Sequence, residues 1–243
     1  MRHYAIGDIH GQDGLLAAAH ALIAEDRART GDAAAPVVHI GDLVDRGPTS
    51  AQVIARLIAG QAAGAPWIVL KGNHDLLFQR WLEDPFARHP MLRAEMSWTH
   101  PRVGGLTTLR SYGVMAEEDL PVAALHAEAV AAVPQAHRDW LAALPLSYAA
   151  GELFFAHAGV RPGVAFAAQV EDDLLWIRGD FLEDPREHGA LVIHGHSHID
   201  RATHYGNRLN LDSSAGYGGP VSAAVIEGRQ AWLLTPEGRV LLG

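Results

Sequence analysis

Short apolar runs alternate with stretches of helical spacing along the first part of the chain. Apolar runs rich in β-branched residues stand at 4–6, 37–40 and 67–70, and they predict buried strands. Between them, apolar residues recur at helical spacing near 14–28 and 50–59. Strands that alternate with helices in this rhythm are typical of parallel βαβ units.

The pattern then changes twice. From about 76 to 145, helical spacing interrupted by prolines and glycines predicts several short helices, which we interpret as a helical cap-like insertion in a single domain spanning 1–243. Strand character returns after residue 147, and beyond residue 198 short runs separated by Gly-Asn and Glu-Gly turns predict hairpins at 203–211 and 222–234. A parallel first part and an antiparallel last part predict an α/β protein with mixed sheets.

Five polar segments each follow an apolar run. They are GDIHG at 7–11, GDLVDRG at 41–47, GNHD at 72–75, HAG at 157–159 and GHSH at 195–198. Their carboxylates, amide and imidazoles are ligands for borderline divalent metals. Because ligands at strand ends of an α/β sheet can converge on one crevice, the segments predict a two-metal site for phosphoryl transfer.

The residue types suggest how such a site would be divided. Asp8 and His10 would form one half-site, and Asp42 is the natural carboxylate to bridge two cations. The second site would be completed by Asn73, His157 and His196. An aspartate after a glycine is usually a cap, and an isolated histidine is usually structural, so the prediction rests on the joint pattern.

Other polar residues of the same segments suit catalysis better than ligation. His74 could protonate a leaving oxygen, with Asp45 orienting its ring, although it could also merely cap a helix beginning near Asn73. Arg46 would direct a forked, permanent charge at phosphate oxygens. Arg178 is a second candidate for that role, or else a helix-end charge.

Composition narrows the classes of protein. The chain has 243 residues, 49% of them apolar, and no cysteine, which excludes disulfides, thiolate metal sites and cysteine nucleophiles. A formal net charge of −9 argues against nucleic acid as a partner. No apolar run approaches the roughly 20 residues of a membrane span. We therefore expect a cytoplasmic protein that binds neither nucleic acid nor membrane.

The order of the five segments resembles the calcineurin-like metallophosphoesterases. More narrowly, it is similar to the bacterial and phage members of the phosphoprotein phosphatase (serine/threonine protein phosphatase) family. The resemblance runs from about residue 3 to about residue 227 and includes GGxxTLxSYG at 104–113 and LWIR at 175–178. It implies a four-layer αββα sandwich with two mixed β-sheets flanked by helices.

The resemblance also implies residue roles. Asp8, His10 and Asp42 would bind the first of two divalent cations; Mn²⁺ is the expected ion, with Fe or Zn²⁺ as alternatives. The second cation would be bound by Asp42, Asn73, His157 and His196. His74 with Asp45 would be the acid and its orienter, Arg46 and Arg178 the phosphate clamp, and Tyr217 would lie near the site. GHSH departs from the Gly-His-Thr-Pro of many close relatives and is similar to the wider superfamily, in which the second histidine, here His198, is a further ligand of the first metal.

The function implied is metal-dependent hydrolysis of a phosphomonoester. A serine/threonine protein phosphatase is the leading interpretation, in which a hydroxide bridging the two metals attacks phosphorus in line. The alternative is a nucleotide enzyme resembling symmetrical diadenosine tetraphosphate hydrolases, so the partner is either a phosphoprotein or a small phosphorylated substrate. The 76–145 segment should decide between them, since arginines at 80, 88, 93, 102 and 110 could meet extra phosphates or simply solvate helices.

Overall fold

The computed structural model describes residues 2–243 and contains two β-sheets. The larger sheet has six strands in the order β11-β10-β9-β1-β2-β3. Their bounds are β1 Arg2–Ile6, β2 Val37–His39, β3 Trp67–Val69, β9 Ala223–Glu227, β10 Gln230–Thr235 and β11 Gly238–Leu241. Strands β1, β2 and β3 are parallel, whereas β9, β10 and β11 add an antiparallel meander alongside β1.

The smaller sheet has five strands in the order β4-β5-β6-β8-β7. Their bounds are β4 Ser147–Ala150, β5 Leu153–Ala156, β6 Leu191–His194, β7 Thr203–His204 and β8 Arg208–Asn210. The three central strands β5, β6 and β8 are parallel, and the two edge strands are antiparallel to their neighbours. Both sheets are therefore mixed, as the sequence predicts.

Eight α-helices connect and cover the sheets in the described part of the chain. They are α1 Asp13–Thr30, α2 Ser50–Ala62, α3 Asn73–Glu83, α4 Gly105–Ser111, α5 Val122–Ala132, α6 Gln135–Ala143, α7 Glu171–Trp176 and α8 Gly179–Leu182. Short 3₁₀ turns lie at Phe166–Ala168 and Ala215–Tyr217. Among the described residues, no helix is both long and apolar enough to cross a membrane.

Alternation of side chains along the strands produces the layers. In β1, Tyr4 and Ile6 pack in the core beneath the helices, while Ala5 packs between the two sheets. In β5, Leu153 and Phe155 face the space between the sheets, whereas the neighbouring Phe154 packs in the outer core that includes α8. The order helix, sheet, sheet, helix confirms the predicted four-layer αββα architecture.

The predicted elements of the first part of the chain, the short helices of the 76–145 segment and the terminal hairpins are present. Strand β11 and helices α7 and α8 were not anticipated, because they are short and interrupted by charged residues. Residues 84–104, between α3 and α4, form turns without a regular element. Whether the 76–145 segment is a separate cap stays a prediction.

The space between the sheets depends on a few large side chains, among which Phe155 is fully buried. We expect Phe155→Ala to lower the free energy of unfolding by about 3–5 kcal/mol, because it leaves a cavity that the sheets cannot close. Phe86→Ala, at a side chain that is 68% exposed, is the control and should change it by less than about 0.5 kcal/mol. Urea unfolding followed by circular dichroism measures both, and equal values would contradict the assigned core.

Candidate active site

The site forms where the carboxyl ends of the parallel strands of both sheets meet. In the larger sheet Asp8 follows β1, Asp42 follows β2 and Asn73 follows β3; in the smaller sheet, the residues that follow β5, β6 and β8 are His157, His196 and Asp212. Every one of these side chains is buried. The convergence predicted from the apolar runs is thus a consequence of two parallel sets of strands pointing at one seam.

Unusual backbone conformations cluster at this seam. Of the six non-glycine residues with positive φ among residues 2–243, five belong to the polar segments: His10, Asp42, Asp45, Arg46 and His196. Such left-handed conformations cost of order 1–3 kcal/mol each and persist only where the surroundings hold them. Their concentration here indicates that these loops adopt unfavourable backbone conformations in order to direct side chains into the site.

Glycines at the strand ends leave room for the carboxylates. A Cβ atom at Gly72 would collide with the backbone and carboxylate of Asp42, and one at Gly195 would collide with the carboxylate of Asp8. The glycines that precede Asn73 and His196 in the sequence therefore allow the two loops to close on the acidic side chains.

Asp42 lies between two groups of side chains that could hold cations. One group is His10, Asp42 and His74, and the other is Asp42, His157 and His196. His10 Nε2 lies 3.4 Å from Asp42 Oδ2, and His157 Nε2 lies 3.3 Å from Asp42 Oδ1. The shared carboxylate thus faces one histidine with each oxygen, which is the placement expected of a ligand bridging two sites.

The remaining predicted ligands adjoin these groups. Asn73 Oδ1 lies 2.9 Å from both His157 Nε2 and His196 Nδ1. Asp8 accepts from the backbone N–H of His196 at 3.1 Å. The structure therefore brings together Asp8, His10, Asp42, Asn73, His157 and His196.

The histidines present nitrogens in a way that suits metal ions. His10 Nδ1 donates to the Val44 carbonyl at 2.9 Å and His157 Nδ1 to the Ile40 carbonyl at 3.0 Å, so in both rings Nε2 is the nitrogen directed into the site. His196 Nε2 is buried and has no hydrogen-bond partner in the described chain. A buried nitrogen of this kind is costly unless a ligand satisfies it.

Buried acidic groups also favour cations. Burial and the neighbouring Asp212 and Asp42 raise the pKa of Asp8 well above its usual range, and burial raises that of Asp212. At Asp42 burial is outweighed by His157 and His74, which hold its pKa well below its usual range. Asp42 in turn overcomes burial at His157 and raises the pKa of that ring to about 9. Divalent cations would compensate this concentration of buried carboxylates.

Asp212 is a member of the site that the sequence reasoning missed. Its side chain is 4% exposed, and its charge acts on Asp8. The signal was present, because Asp212 follows β8 as Asp8 follows β1. The sequence predicts this strand as part of the hairpin at 203–211, but Asn210 and Arg208 make it less apolar than the runs that precede the five polar segments.

His74 and Asp45 form a buried pair beside the ligands. His74 Nδ1 donates to Asp45 Oδ2 at 2.7 Å. Burial lowers the pKa of His74 to about 3, whereas Asp45, also buried, has its pKa raised well above its usual range. The Arg46 guanidinium donates to His10 Nε2 at 2.8 Å and to His74 Nε2 at 3.1 Å, so it links the first group of ligands to the proposed acid.

A cavity of ≈ 580 Å³ opens beside these residues. Asn73, His74, Arg46 and Arg178 line it, and Arg178 Nη1 donates to Ser197 Oγ at 3.2 Å. The two arginines predicted as a phosphate clamp therefore share one cavity with the proposed acid. Their role in binding phosphate stays a prediction.

Two predicted residues lie at the margin of the site. Tyr217 is 61% exposed, with its ring 4.6 Å from the Arg46 guanidinium carbon. His198 is also exposed, and its ring packs at 5.1 Å from the ring of Tyr217, outside both groups of candidate ligands. Ligation by His198 stays a prediction, as does a role for Tyr217 in binding substrate.

Comparison with known proteins agrees with this geometry. Residues 1–220 match the family described as Calcineurin-like phosphoesterase. The chain belongs to this family. As a calcineurin-like phosphoesterase it is a hydrolase, and the family typically binds divalent metals.

Several proteins are similar to this phosphoesterase. A bis(5'-nucleosyl)-tetraphosphatase PrpE, asymmetrical, from Anoxybacillus flavithermus is 23% identical over 237 residues, covering 90% of this chain and 87% of that protein. The crystal structure of a putative diadenosine tetraphosphatase has a TM-score of 0.58 at 21% identity, over 100% of this chain and 94% of that one. A cold-active protein-tyrosine phosphatase of a Shewanella species has a TM-score of 0.60 at 15% identity, over 100% and 80%. The two structures show that the fold is shared.

The central position of Asp42 can be tested by metal analysis. We expect Asp42→Asn to weaken Mn²⁺ binding, because it removes the carboxylate shared by both groups of candidate ligands. The loss should exceed the roughly 10–100-fold that follows removal of a residue that only hydrogen-bonds to a metal ligand. Calorimetric titration of chelator-treated protein measures the affinity. Asp139→Asn, on the exposed side of α6, is the charge-matched control. Unchanged Mn²⁺ binding by Asp42→Asn would refute the two-metal assignment.

His74 can be separated from the ligands in the same way. We expect His74→Asn to keep Mn²⁺ content near that of the wild type while lowering kcat on alkyl phosphates by about 10²–10⁴-fold, the usual contribution of a general acid. The defect should shrink for aryl phosphates, whose leaving oxygen hardly needs a proton. Loss of metal from His74→Asn would instead make His74 a ligand, which its proximity to His10 and Asp42 would permit.

Proposed function

We propose that this phosphoesterase hydrolyses a substrate carrying several phosphates, with a dinucleoside polyphosphate as the best fit. The observation that carries the proposal is the lining of the cavity next to the ligands. Five arginines face it, accompanied by a single acidic residue, Asp180; they are Arg46, Arg93, Arg102, Arg161 and Arg178. Arg161 pairs with Asp173 and Asp180, so the other four arginines give the cavity its positive charge, in a chain whose net charge is −9.

The number of arginines exceeds what a phosphomonoester needs. Arg46 and Arg178 lie beside the ligands and suit the reacting phosphoryl group. Arg93 and Arg102 come from the turn-rich 84–104 stretch, and neither pairs with an acidic side chain in residues 2–243. Guanidinium groups that line the same cavity as the clamp and have no acidic partner favour a substrate with additional phosphates.

The same cavity offers apolar surface for a base. Its wall includes Leu77, Met91, Leu92, Met96, Val103, Trp176 and Ile177. Methionine and tryptophan provide polarizable contacts for flat aromatic groups, so a nucleobase is a fitting occupant. The names of the Anoxybacillus relative and of the diadenosine tetraphosphatase structure point to the same substrate class.

A serine/threonine protein phosphatase is the second candidate, and it is the one that the motif order favours. The five polar segments together with Arg178 supply the groups that transfer of one phosphoryl group requires, and the exposed ring of Tyr217 lies 4.6 Å from the Arg46 guanidinium carbon. The surplus arginines have no evident use in that reaction, so we place it second.

Each group of residues in the site has its own role in the proposed reaction. Asp8, His10, Asp42, Asn73, His157 and His196 would hold two divalent cations, which supply an activated water and neutralise phosphoryl charge when bound. Arg46 and Arg178 orient the phosphoryl oxygens and stabilise the charge that spreads over them in the transition state. To act as the acid, His74 would have to be an imidazolium that donates its Nε2 proton to the departing oxygen in place of accepting from Arg46, while Asp45 holds the ring through Nδ1.

A substrate panel with Mn²⁺-loaded protein tests the proposal. We expect diadenosine tetraphosphate to be hydrolysed with a higher kcat/KM than a phosphoserine peptide or p-nitrophenyl phosphate, because only the first engages Arg93 and Arg102. Analysis of the products identifies which phosphoanhydride bond is cleaved. Two molecules of ADP indicate symmetrical cleavage, and ATP with AMP indicates asymmetrical cleavage. A higher kcat/KM for the phosphopeptide would make the second candidate the better one.

The arginines provide the matching variants. Arg93→Gln and Arg102→Gln should each raise KM for diadenosine tetraphosphate by about 10-fold or more, as expected for loss of a hydrogen bond to a charged group, while changing KM for p-nitrophenyl phosphate by less than about twofold. Arg29→Gln, on α1, removes the same charge from an exposed position away from the cavity. A similar effect on both substrates would indicate general electrostatics instead of a second phosphate site.

A further inference from the structure

Two side chains from the segment between α3 and α5 reach back to Asp45. The Trp98 indole Nε1–H donates to Asp45 Oδ2 at 2.9 Å, and this is the oxygen that accepts from His74 Nδ1. The Thr108 hydroxyl donates to the other oxygen, Asp45 Oδ1, at 2.8 Å. Each carboxylate oxygen is thus held by this segment, and rotation of the carboxylate would break both contacts.

Backbone contacts fix the same junction. The Asp45 N–H donates to Thr108 Oγ1 at 2.9 Å, and the Arg46 N–H donates to the Gly104 carbonyl at 3.3 Å. A Cβ atom at Gly104, where φ is +92°, would press on the Arg46 backbone, and one at Gly105 would collide with the Trp98 ring. The GGxxT pattern at 104–108 is therefore what lets α4 approach the 45–46 loop closely enough for these hydrogen bonds.

Trp98 is itself held by the helix that carries the proposed acid. Its side chain is 3% exposed and packs against Phe78, with ring centroids 5.1 Å apart, and against Trp81, at 4.9 Å. Both partners belong to α3, which begins at Asn73 and includes His74. The indole therefore spans from the helix of His74 to the carboxylate that orients it.

We propose that Trp98 and Thr108 are positioning residues for the general acid. They lock the Asp45 carboxylate so that one lone pair of Oδ2 faces Trp98 and the other faces His74 Nδ1. The inference rests on the proposed function in that His74 is taken as the acid. Since Met96, Arg102 and Val103 of the same segment line the cavity, the substrate wall and the orientation of the acid are parts of one structural unit.

Leaving-group dependence distinguishes positioning from packing. Trp98→Phe keeps an aromatic ring but removes the N–H, and Thr108→Val keeps the shape but removes the hydroxyl. We expect each to lower kcat for phenyl phosphate by about 10-fold or more and for p-nitrophenyl phosphate by less than about threefold, because only the poorer leaving group depends on general acid catalysis. KM and Mn²⁺ affinity should stay near wild type.

Two matched variants control for packing. Trp81→Phe makes the same change in the same aromatic cluster, but the Trp81 indole N–H has no hydrogen-bond partner in residues 2–243. Thr108→Ser keeps the hydroxyl and should restore the wild-type ratio of the two kcat values. If Trp81→Phe altered that ratio as much as Trp98→Phe, the indole hydrogen bond would have no role beyond packing.

A second readout does not require activity. In ¹⁵N-histidine-labelled protein without metal, the Nδ1–H resonance of His74, assigned by its loss in His74→Asn, should be slow to exchange with water. Trp98→Phe and Thr108→Val should speed that exchange, whereas Trp81→Phe should not. An unchanged resonance in both test variants would overturn the positioning role. Absence of all phosphatase activity in the wild type, with this exchange pattern intact, would refute the proposed function and leave the hydrogen-bond assignment standing.

Discussion

The carboxylates of Asp8, Asp42 and Asp212 are buried at one seam, and the rest of the site is arranged around that constraint. Removing a carboxylate from water costs several kcal/mol per ion unless charges and hydrogen bonds compensate it. Part of the compensation comes from the chain itself. The Asp42 carboxylate accepts from the His74 N–H at 3.0 Å and lies between two histidines, and Asp8 accepts from the His196 N–H. The remaining compensation would come from bound cations, which explains why so many potential ligand atoms point inward and why His196 Nε2 has no hydrogen-bond partner among residues 2–243.

The loops that carry these carboxylates and histidines contain residues with positive φ, a conformation that non-glycine residues rarely adopt. Hydrogen bonds to buried polar side chains hold the loops in this shape. Asp75 shows how: its carboxylate accepts from the Leu43 N–H at 2.9 Å and from the Gly72 N–H at 2.8 Å, and so ties the start of α3 to the loop after β2. Together with the hydrogen bond from the His74 N–H to Asp42, this side chain holds the Asp42 and Asn73 loops against each other. Burial and Asp42 raise the pKa of Asp75 to about 7, which marks the cost of placing a fourth carboxylate so near the others. The close placement of buried carboxylates therefore both destabilises the fold and creates the site that could hold cations.

Much of this could be predicted from the sequence because strand burial and ligand placement are coupled locally. A strand covered on both faces is largely apolar, so the polar segment after it marks its carboxyl end, and parallel strands bring those ends together. The rule identified five of the six strand-end residues and failed at Asp212, where Asn210 is itself buried and donates to the Ser197 carbonyl. The rule could not predict the contact between Trp98 and Asp45, because this contact joins residues 53 positions apart and one of them lies in an irregular stretch. Nothing in local periodicity encodes such a contact.

The stretch from 84 to 104 also limits how the cavity can be altered without affecting catalysis. Arg93 is exposed, and its side chain contributes to the lining without holding Asp45, so a change there acts on what the cavity accepts. Trp98 and Gly104 face the other way, toward Asp45 and Arg46, and a change there moves the groups that perform the reaction. Because the two kinds of residue alternate along one segment, a substitution that shifts its backbone affects both recognition and acid orientation. Recognition and acid orientation can therefore be altered separately only by substitutions that change a side chain and leave the path of the backbone unchanged.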